Sequence, residues 1–391
     1  MTAAISLGGR AAIAGIGQTE FSKESGRTEL RLACEATLAA LQDAGLEPSD
    51  VDGFVTSTLD TTEEMDLARN LGIDDISFFS RIPYGGGAPA GMVMHAAMAV
   101  ATGVAETVVC YRAFNERSGD RFGTMAGTAG GALPIWLSWY APYDHLTPAA
   151  WVALHAHRYM ETYGVTNADF APIAVVDRLH ASTNPDAWFY ERPITIADHQ
   201  SSRWIVEPVL RLLDCCQESD GGVAIVVTST ERARDLRQPP AVITAAAQGA
   251  SFDSETMTSY YRDDLCGLPD MGVVAKRLWR DSGLAPADID TAFLYDHFTP
   301  FVLMQLEELG FCGRGEAKDW ATVERLSVGG ELPINTNGGL LGEAYIHGMN
   351  GITEVVRQIR GTSYNQVDNV EHALATAGTG VPTSGLILSK A

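Results

Sequence analysis

Basic residues are scarce in this chain. Its 391 residues include 27 Lys and Arg against 49 Asp and Glu, a net charge of −22. Neutralising nucleic-acid phosphates takes clustered Lys and Arg, so the balance argues against a nucleic-acid partner. A phosphorylated small molecule stays allowed, because it needs only a few local cations. Several catalytic signatures are missing as well: no H-E-x-x-H, no G-x-S-x-G and no phosphate-binding loop occurs. Gly15-Ile16-Gly17 follows an apolar run, but Glu20 stands where a dinucleotide fingerprint needs its third glycine. His155 and His157 are two apart, so on a helix they point to different sides and make no metal pair.

Cysteine is sparse and unpatterned. The six are Cys34, Cys110, Cys215, Cys216, Cys266 and Cys312, with no C-x-x-C pair or zinc-like spacing. Adjacent Cys215 and Cys216 are poorly placed to bridge each other. Reduced, buried thiols in a cytoplasmic protein are the expectation. No basic segment leads into an apolar run at the N-terminus, so no signal peptide is expected. Between Arg81 and Glu106 there is no charged residue. The length permits a bilayer span, but the run is Gly and Ala with some Met and Val, broken by Pro83, Pro89 and His95. Such residues insert poorly, so a buried, closely packed core helix is expected and no membrane contact.

What is present is an internal repeat. Asp43-Ala44-Gly45-Leu46-Glu47-Pro48-Ser49-Asp50-Val51-Asp52 returns as Asp281-Ser282-Gly283-Leu284-Ala285-Pro286-Ala287-Asp288-Ile289-Asp290. The first copy follows Leu30, Cys34, Leu38 and Leu41 at helical spacing. Gly45 and Gly283 sit where a helix takes a left-handed C-terminal residue, and Pro48 and Pro286 stop it from continuing. An apolar run precedes each unit (Ala11 to Ile16, Ala241 to Ala247) and another follows (Gly53-Phe54-Val55, Thr291-Ala292-Phe293-Leu294). Each reads strand, helix, turn, strand, which predicts two similar α/β halves. The division expected is residues 1–238, interrupted by an insertion at about 111–215, and residues 239–391. In the insertion, Thr147-Pro148 opens a helix and Thr166 caps another. Trp136, Trp139, Tyr140 and Tyr143 cluster just before them, as loop packing or as the wall of an apolar site.

Three segments carry a family resemblance. Asp214-Cys215-Cys216-Gln217-Glu218-Ser219-Asp220-Gly221-Gly222 is similar to D-C-C-P-x-S-D-G-A of the sterol-carrier-protein-x branch of the thiolase superfamily. Tyr295-Asp296-His297-Phe298 resembles that branch's H-D-C-F. The run from Ile334 to Gly351 resembles I-N-P-S-G-G-L-x-x-x-G-H-P-x-G-A-T-G without a gap. The resemblance covers nearly the whole chain. It implies an α/β fold of two β-α-β-α-β-α-β-β halves carrying a loop domain.

The catalytic positions do not match. A thiolase places a cysteine at the start of a buried helix, whose dipole and amides favour the thiolate. Counting back from Gly103-Val104-Ala105-Glu106, that place falls in Gly85-Gly86-Gly87, at Gly86. The histidine of H-D-C-F becomes Tyr295, its cysteine His297, and the histidine of G-H-P becomes Tyr345. Without the cysteine, no acyl-enzyme forms by the thiolase route. A retro-aldol step needs only a base for a β-hydroxyl, donors for the thioester enolate and an acid to protonate it.

Tyrosine, with a pKa near 10, needs about 3 units of lowering, roughly 4 kcal/mol, to serve as a base. A cationic or hydrogen-bonding His297 is one expected source of that help. Tyr295, Tyr345 and His297 are therefore the expected catalytic residues, with the acid and base roles open and a lean to Tyr345, or a relay through His297, as base. His347 is a weaker candidate.

These substitutions resemble the lipid-transfer-protein-type aldolases of steroid side-chain degradation. The resemblance implies a 17-hydroxy steroid-22-oyl-CoA substrate cleaved to a 17-ketosteroid and propionyl-CoA, with no metal or organic cofactor. It also implies a homodimer joined to a small OB-fold protein, often fused to a hydratase, in a heterotetramer. Two other readings stay open: an acyltransferase using another cysteine such as Cys312, and a non-catalytic scaffold.

Overall fold

The computed structural model describes residues 7–83, 85–119, 121, 138, 140–254, 262, 264–378 and 383–391. From the N-terminus the chain alternates strand and helix: β1 (Ala11–Gln18), α1 (Glu29–Ala44), β2 (Gly53–Ser57), α2 (Glu64–Leu71), β3 (Phe78–Ile82), α3 (Pro89–Thr102) and β4 (Thr107–Asn115). An inserted segment follows, with α4 (Pro148–Tyr163), α5 (Ala171–Thr183), α6 (Ile196–Ser201) and the small hairpin β5 (Trp204–Val206) and β6 (Leu210–Arg211). The chain then returns through β7 (Asp220–Ser229), α7 (Thr230–Ala233) and β8 (Ala241–Gly249). The second alternating run is α8 (Pro269–Ser282), β9 (Thr291–Phe293), α9 (Thr299–Leu309), α10 (Ala317–Trp320), α11 (Val323–Leu326), α12 (Gly339–Gly342), α13 (Met349–Arg360), β10 (His372–Ala377) and β11 (Thr383–Lys390).

Nine strands form one mixed sheet in the order β3-β2-β4-β7-β1-β8-β11-β10-β9. The order reads alike from both ends. In each half the last strand, β7 or β11, lies antiparallel between its neighbours, while β2 and β9 run parallel beside β4 and β10. Beyond β9, where β3 lies in the first half, the described residues add only an isolated parallel bridge from Ala292 to Ile334. The halves meet at β1 and β8 through two residue pairs, Ala12 with Val242 and Ile13 with Ala241.

The repeated decapeptides build the same corner twice. α1 ends on Gly45 at φ 76° and α8 on Gly283 at φ 73°, a left-handed conformation that a glycine adopts without steric cost. A single 3₁₀ turn then begins at Pro48 or Pro286 and delivers the chain into β2 or β9.

The uncharged run forms α3, as its small residues require. Ala90, Met92, Val93, Ala96 and Ala97 are fully buried. They share one core with Ile352 and Val356 of α13 and with the inner faces of both halves of the sheet. No helix among the described residues is long and apolar enough to cross a membrane.

In the insertion, the Thr147 side chain caps α4 by accepting from Ala150 N at 3.4 Å, and Thr166 and Asp169 form a capping box. Tyr140 is buried against Trp151, with ring centres 6.2 Å apart, whereas Tyr143 is exposed. Trp136 and Trp139 lie outside the described residues. α5 reaches the second half: a Cβ on Gly338 or on Gly342 would lie 2.6 Å from Ala181 Cβ. Those glycines let the insertion clamp directly onto the segment that leads to Tyr345.

Candidate active site

Tyr295 follows β9, and its backbone is held on every side. Leu294 N donates to Asn335 Oδ1 (2.9 Å), Tyr295 N donates to Thr376 Oγ1 (2.9 Å), and Gln305 Nε2 donates to the Tyr295 carbonyl (2.8 Å). Asp296 points the other way and accepts from the amides of Leu340 and Leu341 at the start of α12 (2.8 and 3.0 Å). Gly339 is required there, since a Cβ would overlap the Asp296 carboxylate. Burial raises the Asp296 carboxyl to about 6 and, with Asp296 beside it, holds the fully buried Asp177 of α5 well above the usual carboxyl range. A rigid, largely dry frame thus surrounds Tyr295 and ties it to the insertion.

Tyr345 arrives from the opposite side, on the loop between α12 and α13. Its amide donates to Ser219 Oγ (3.2 Å), and it forms a parallel bridge with Glu218. The two phenol oxygens meet at 2.9 Å. Beneath them lies Gly86, at the approach to α3. A Cβ at position 86 would overlap the Tyr295 hydroxyl and sit 2.8 Å from its Cζ. Tyr295 therefore fills the volume that any side chain at 86 would need. Residues 86, 295 and 345, distant in sequence, converge on one point.

His297 joins them by ring contact, 4.9 Å from the Tyr295 ring centre. Burial pushes its imidazole down to about 3, so it is neutral. The expectation that His297 contributes charge to lower a phenol is therefore corrected. Neither phenol is lowered: burial holds both Tyr295 and Tyr345 well above 10, and the nearby Glu116 raises both further. The cause is desolvation, which disfavours any phenolate in this pocket.

Sequence reasoning missed three groups around the tyrosines. Glu116, 2% exposed, is pushed well up by burial, and its Oε2 has no hydrogen-bond partner among the described residues. Arg112, 1% exposed, donates to Asp60 Oδ1 at 2.8 Å and to His347 Nδ1. Asp60 completes that ion pair from the turn that follows β2. A signal existed, because Arg112 and Glu116 are the only charges between Thr107 and Glu116, an otherwise apolar run. Buried charges of this kind are retained only when paired or used.

Neither Cys312 nor Cys216 offers a replacement nucleophile. Cys312 packs with a different core from the tyrosines, and burial pushes its thiol up to about 12, with Glu307 and Glu316 adding to the rise. Cys216 lies beside the phenols, where burial likewise raises it strongly. Both stay as weakly nucleophilic thiols.

Comparison with known proteins points the same way. A family model described as "Thiolase C-terminal domain-like" matches residues 251–390. A steroid side-chain-cleaving aldolase of Thermomonospora curvata is 65% identical over 387 residues, 98% of each chain. A 17-hydroxy-3-oxo-4-pregnene-20-carboxyl-CoA lyase of Mycobacterium tuberculosis is 64% identical over 385 residues, covering 98% of this chain and 100% of that one. Among solved structures, an "Ltp2-ChsH2(DUF35) aldolase" superposes with a TM-score of 0.95 at 64% identity, over 99% of both chains.

Proposed function

The chain belongs to the thiolase-like family of steroid side-chain-cleaving aldolases, and from that premise we propose how its paired tyrosines carry the cleavage. It is a carbon–carbon lyase acting on a CoA-linked steroid side chain. Its substrate is of the 17-hydroxy steroid-22-oyl-CoA type, and the products are a 17-ketosteroid and propionyl-CoA. The observation that carries the mechanism is the 2.9 Å contact between the two phenols above a glycine.

Because burial opposes a phenolate at either position, the proton moves through both in one relay. Tyr345, the less buried of the two, accepts the substrate's hydroxyl proton while handing its own to Tyr295. Tyr295 delivers a proton to the α-carbon as the bond between that carbon and the carbinol carbon breaks. The electron pair of that bond passes through the thioester enolate and ends in the new carbon–hydrogen bond. Both tyrosines finish protonated. His297 packs against Tyr295 and keeps water from it. No cysteine is acylated.

The decisive assay incubates the chain, alone and with an OB-fold (DUF35-type) partner, with a β-hydroxyacyl-CoA steroid. Mass spectrometry is expected to show ketosteroid and propionyl-CoA and an unmodified protein. An acylated cysteine would favour the acyltransferase reading instead, and no products even with the partner present would favour the scaffold.

The assembly follows from the same reading. The chain binds that partner, a reading supported by the solved relative's name, which joins that aldolase to a DUF35 protein, and it also forms a homodimer. β3 is one of the two outermost strands of the sheet and carries Phe79, 66% exposed. Such an edge is a ready template for pairing with a second copy. A solution mass near twice 41.8 kDa is expected, and a mass of one chain at working concentration would count against the dimer. The division into residues 1–238 and 239–391 is proposed on the mirrored strand order.

A further inference from the structure

We propose that His347 is a further hydrogen-bond donor to the thioester oxygen in this reaction, and that Arg112 and Asp60 are positioning residues that fix which of its ring nitrogens carries the proton. This rests on the retro-aldol reading above. A guanidinium only donates. Arg112 Nε and Nη2 lie 3.0 and 2.7 Å from His347 Nδ1, so Nδ1 accepts and the proton sits on Nε2. Arg112 is itself held by Asp60 Oδ1 at 2.8 Å, and that oxygen also accepts from Ala113 N at 3.1 Å. The other Asp60 oxygen accepts from Thr56 and Ser57, each at 2.9 Å. Every link of this chain is buried. A second proton on the ring is disfavoured by burial and by the adjacent Arg112 charge.

The Nε2–H faces the turn that leads into α3. A Cβ on Gly85 would lie 2.6 Å from Nε2, while the next residue, Gly86, faces the Tyr295 hydroxyl. Two successive glycines thus face two proton donors, with Tyr345 4.8 Å from the His347 ring centre. An enolate oxygen seated over this turn meets the imidazole N–H, while the neighbouring Tyr295 phenol addresses the α-carbon beside it. A donor fixed before the reaction in a dry site costs no reorganisation when charge develops. His347 also holds φ 50°, a left-handed conformation rare for a residue with a side chain. Its placement there is kept against that cost by the contact with Arg112.

The test compares two substitutions that share the same backbone cost. His347→Phe removes the donor and is expected to lower kcat by about 10²–10³-fold, with KM changed less than about threefold. His347→Gln keeps an N–H near the same place and is expected to recover at least about tenfold of that loss. Ring ¹⁵N NMR of the unaltered protein, with the His347 signal assigned by its loss in His347→Gln, is expected to report the Nε2–H form. An Nδ1–H form overturns the proposal. So does a His347→Phe enzyme whose kcat stays within about threefold of the parent. If the Phe variant does not fold, as circular dichroism would show, the tautomer and the Gln variant decide. Because the tautomer is read without turnover, it tests His347 even if the unaltered protein fails to cleave, an outcome that counts against the retro-aldol reading instead.

Discussion

Replacing Tyr345 with Phe is expected to reduce side-chain cleavage by about 10³-fold or more, and Tyr295→Phe to do the same, each with the fold intact. The size follows from what positioned acid–base groups contribute, about 10²–10⁴-fold. In a relay through the 2.9 Å contact, the two phenols act as one device. The double substitution is therefore expected to cost little more than either single one, as for groups that work as a unit. Stability should follow a different pattern. Each single change leaves the other hydroxyl buried without its partner, a cost of about 1–3 kcal/mol. Removing both relieves most of it. Single-turnover rates and thermal melts of the three variants separate these effects. Turnover above about a tenth of the parent in either single variant would remove that tyrosine from the mechanism.

Gly86→Ala is expected to abolish cleavage and to destabilise the fold by about 1–3 kcal/mol, the range for forcing one extra carbon into a packed core. The new Cβ would overlap the Tyr295 hydroxyl and crowd its Cζ at 2.8 Å, against a ring that is fully enclosed. Backbone hydrogen bonds to Thr376 and Gln305 prevent Tyr295 from retreating as a unit. The clash is a specific one, so shortening the partner should relieve it. In a double-mutant cycle, Gly86→Ala is expected to cost clearly less in a Tyr295→Ser background than alone. Equal costs in both backgrounds would show that the strain lies elsewhere. For the same reason Gly86→Cys is not expected to yield a working thiolase. The thiol would have to displace the phenol before it reached a substrate.

The parts of this fold that are legible in sequence are those set by short-range chemistry. Gly45 and Gly283, Pro48 and Pro286 announce two equivalent corners because caps and turns are decided within a few residues. The uncharged run between Arg81 and Glu106 announces α3 because only small apolar residues fit between two layers. The mirrored strand order was not legible, since pairing such as β1 with β8 joins residues more than 200 apart and leaves no local mark.

The site divides along the same line. Tyr295 and Tyr345 stand out because they occupy recognisable motif positions. Their contact with each other and with Gly86 is a product of the tertiary fold. The protonation of His297 was misread because burial, invisible in the motif, decides it. Arg112 was visible as a charge inside an apolar strand, but its partners Asp60 and His347 come from other segments.

One consequence concerns how such a site can arise. A side chain at 86 and a phenol at 295 compete for a single volume, so a chain carrying both sets them in steric conflict and loses the use of each. A lineage that exchanges a nucleophilic cysteine for this tyrosine cannot pass through a bifunctional ancestor. It must first give up the old chemistry, by shrinking residue 86 to glycine or keeping 295 small, and cross an interval in which the pocket holds its ligand without either mechanism. Proteins with such vacant pockets are the intermediates this geometry predicts.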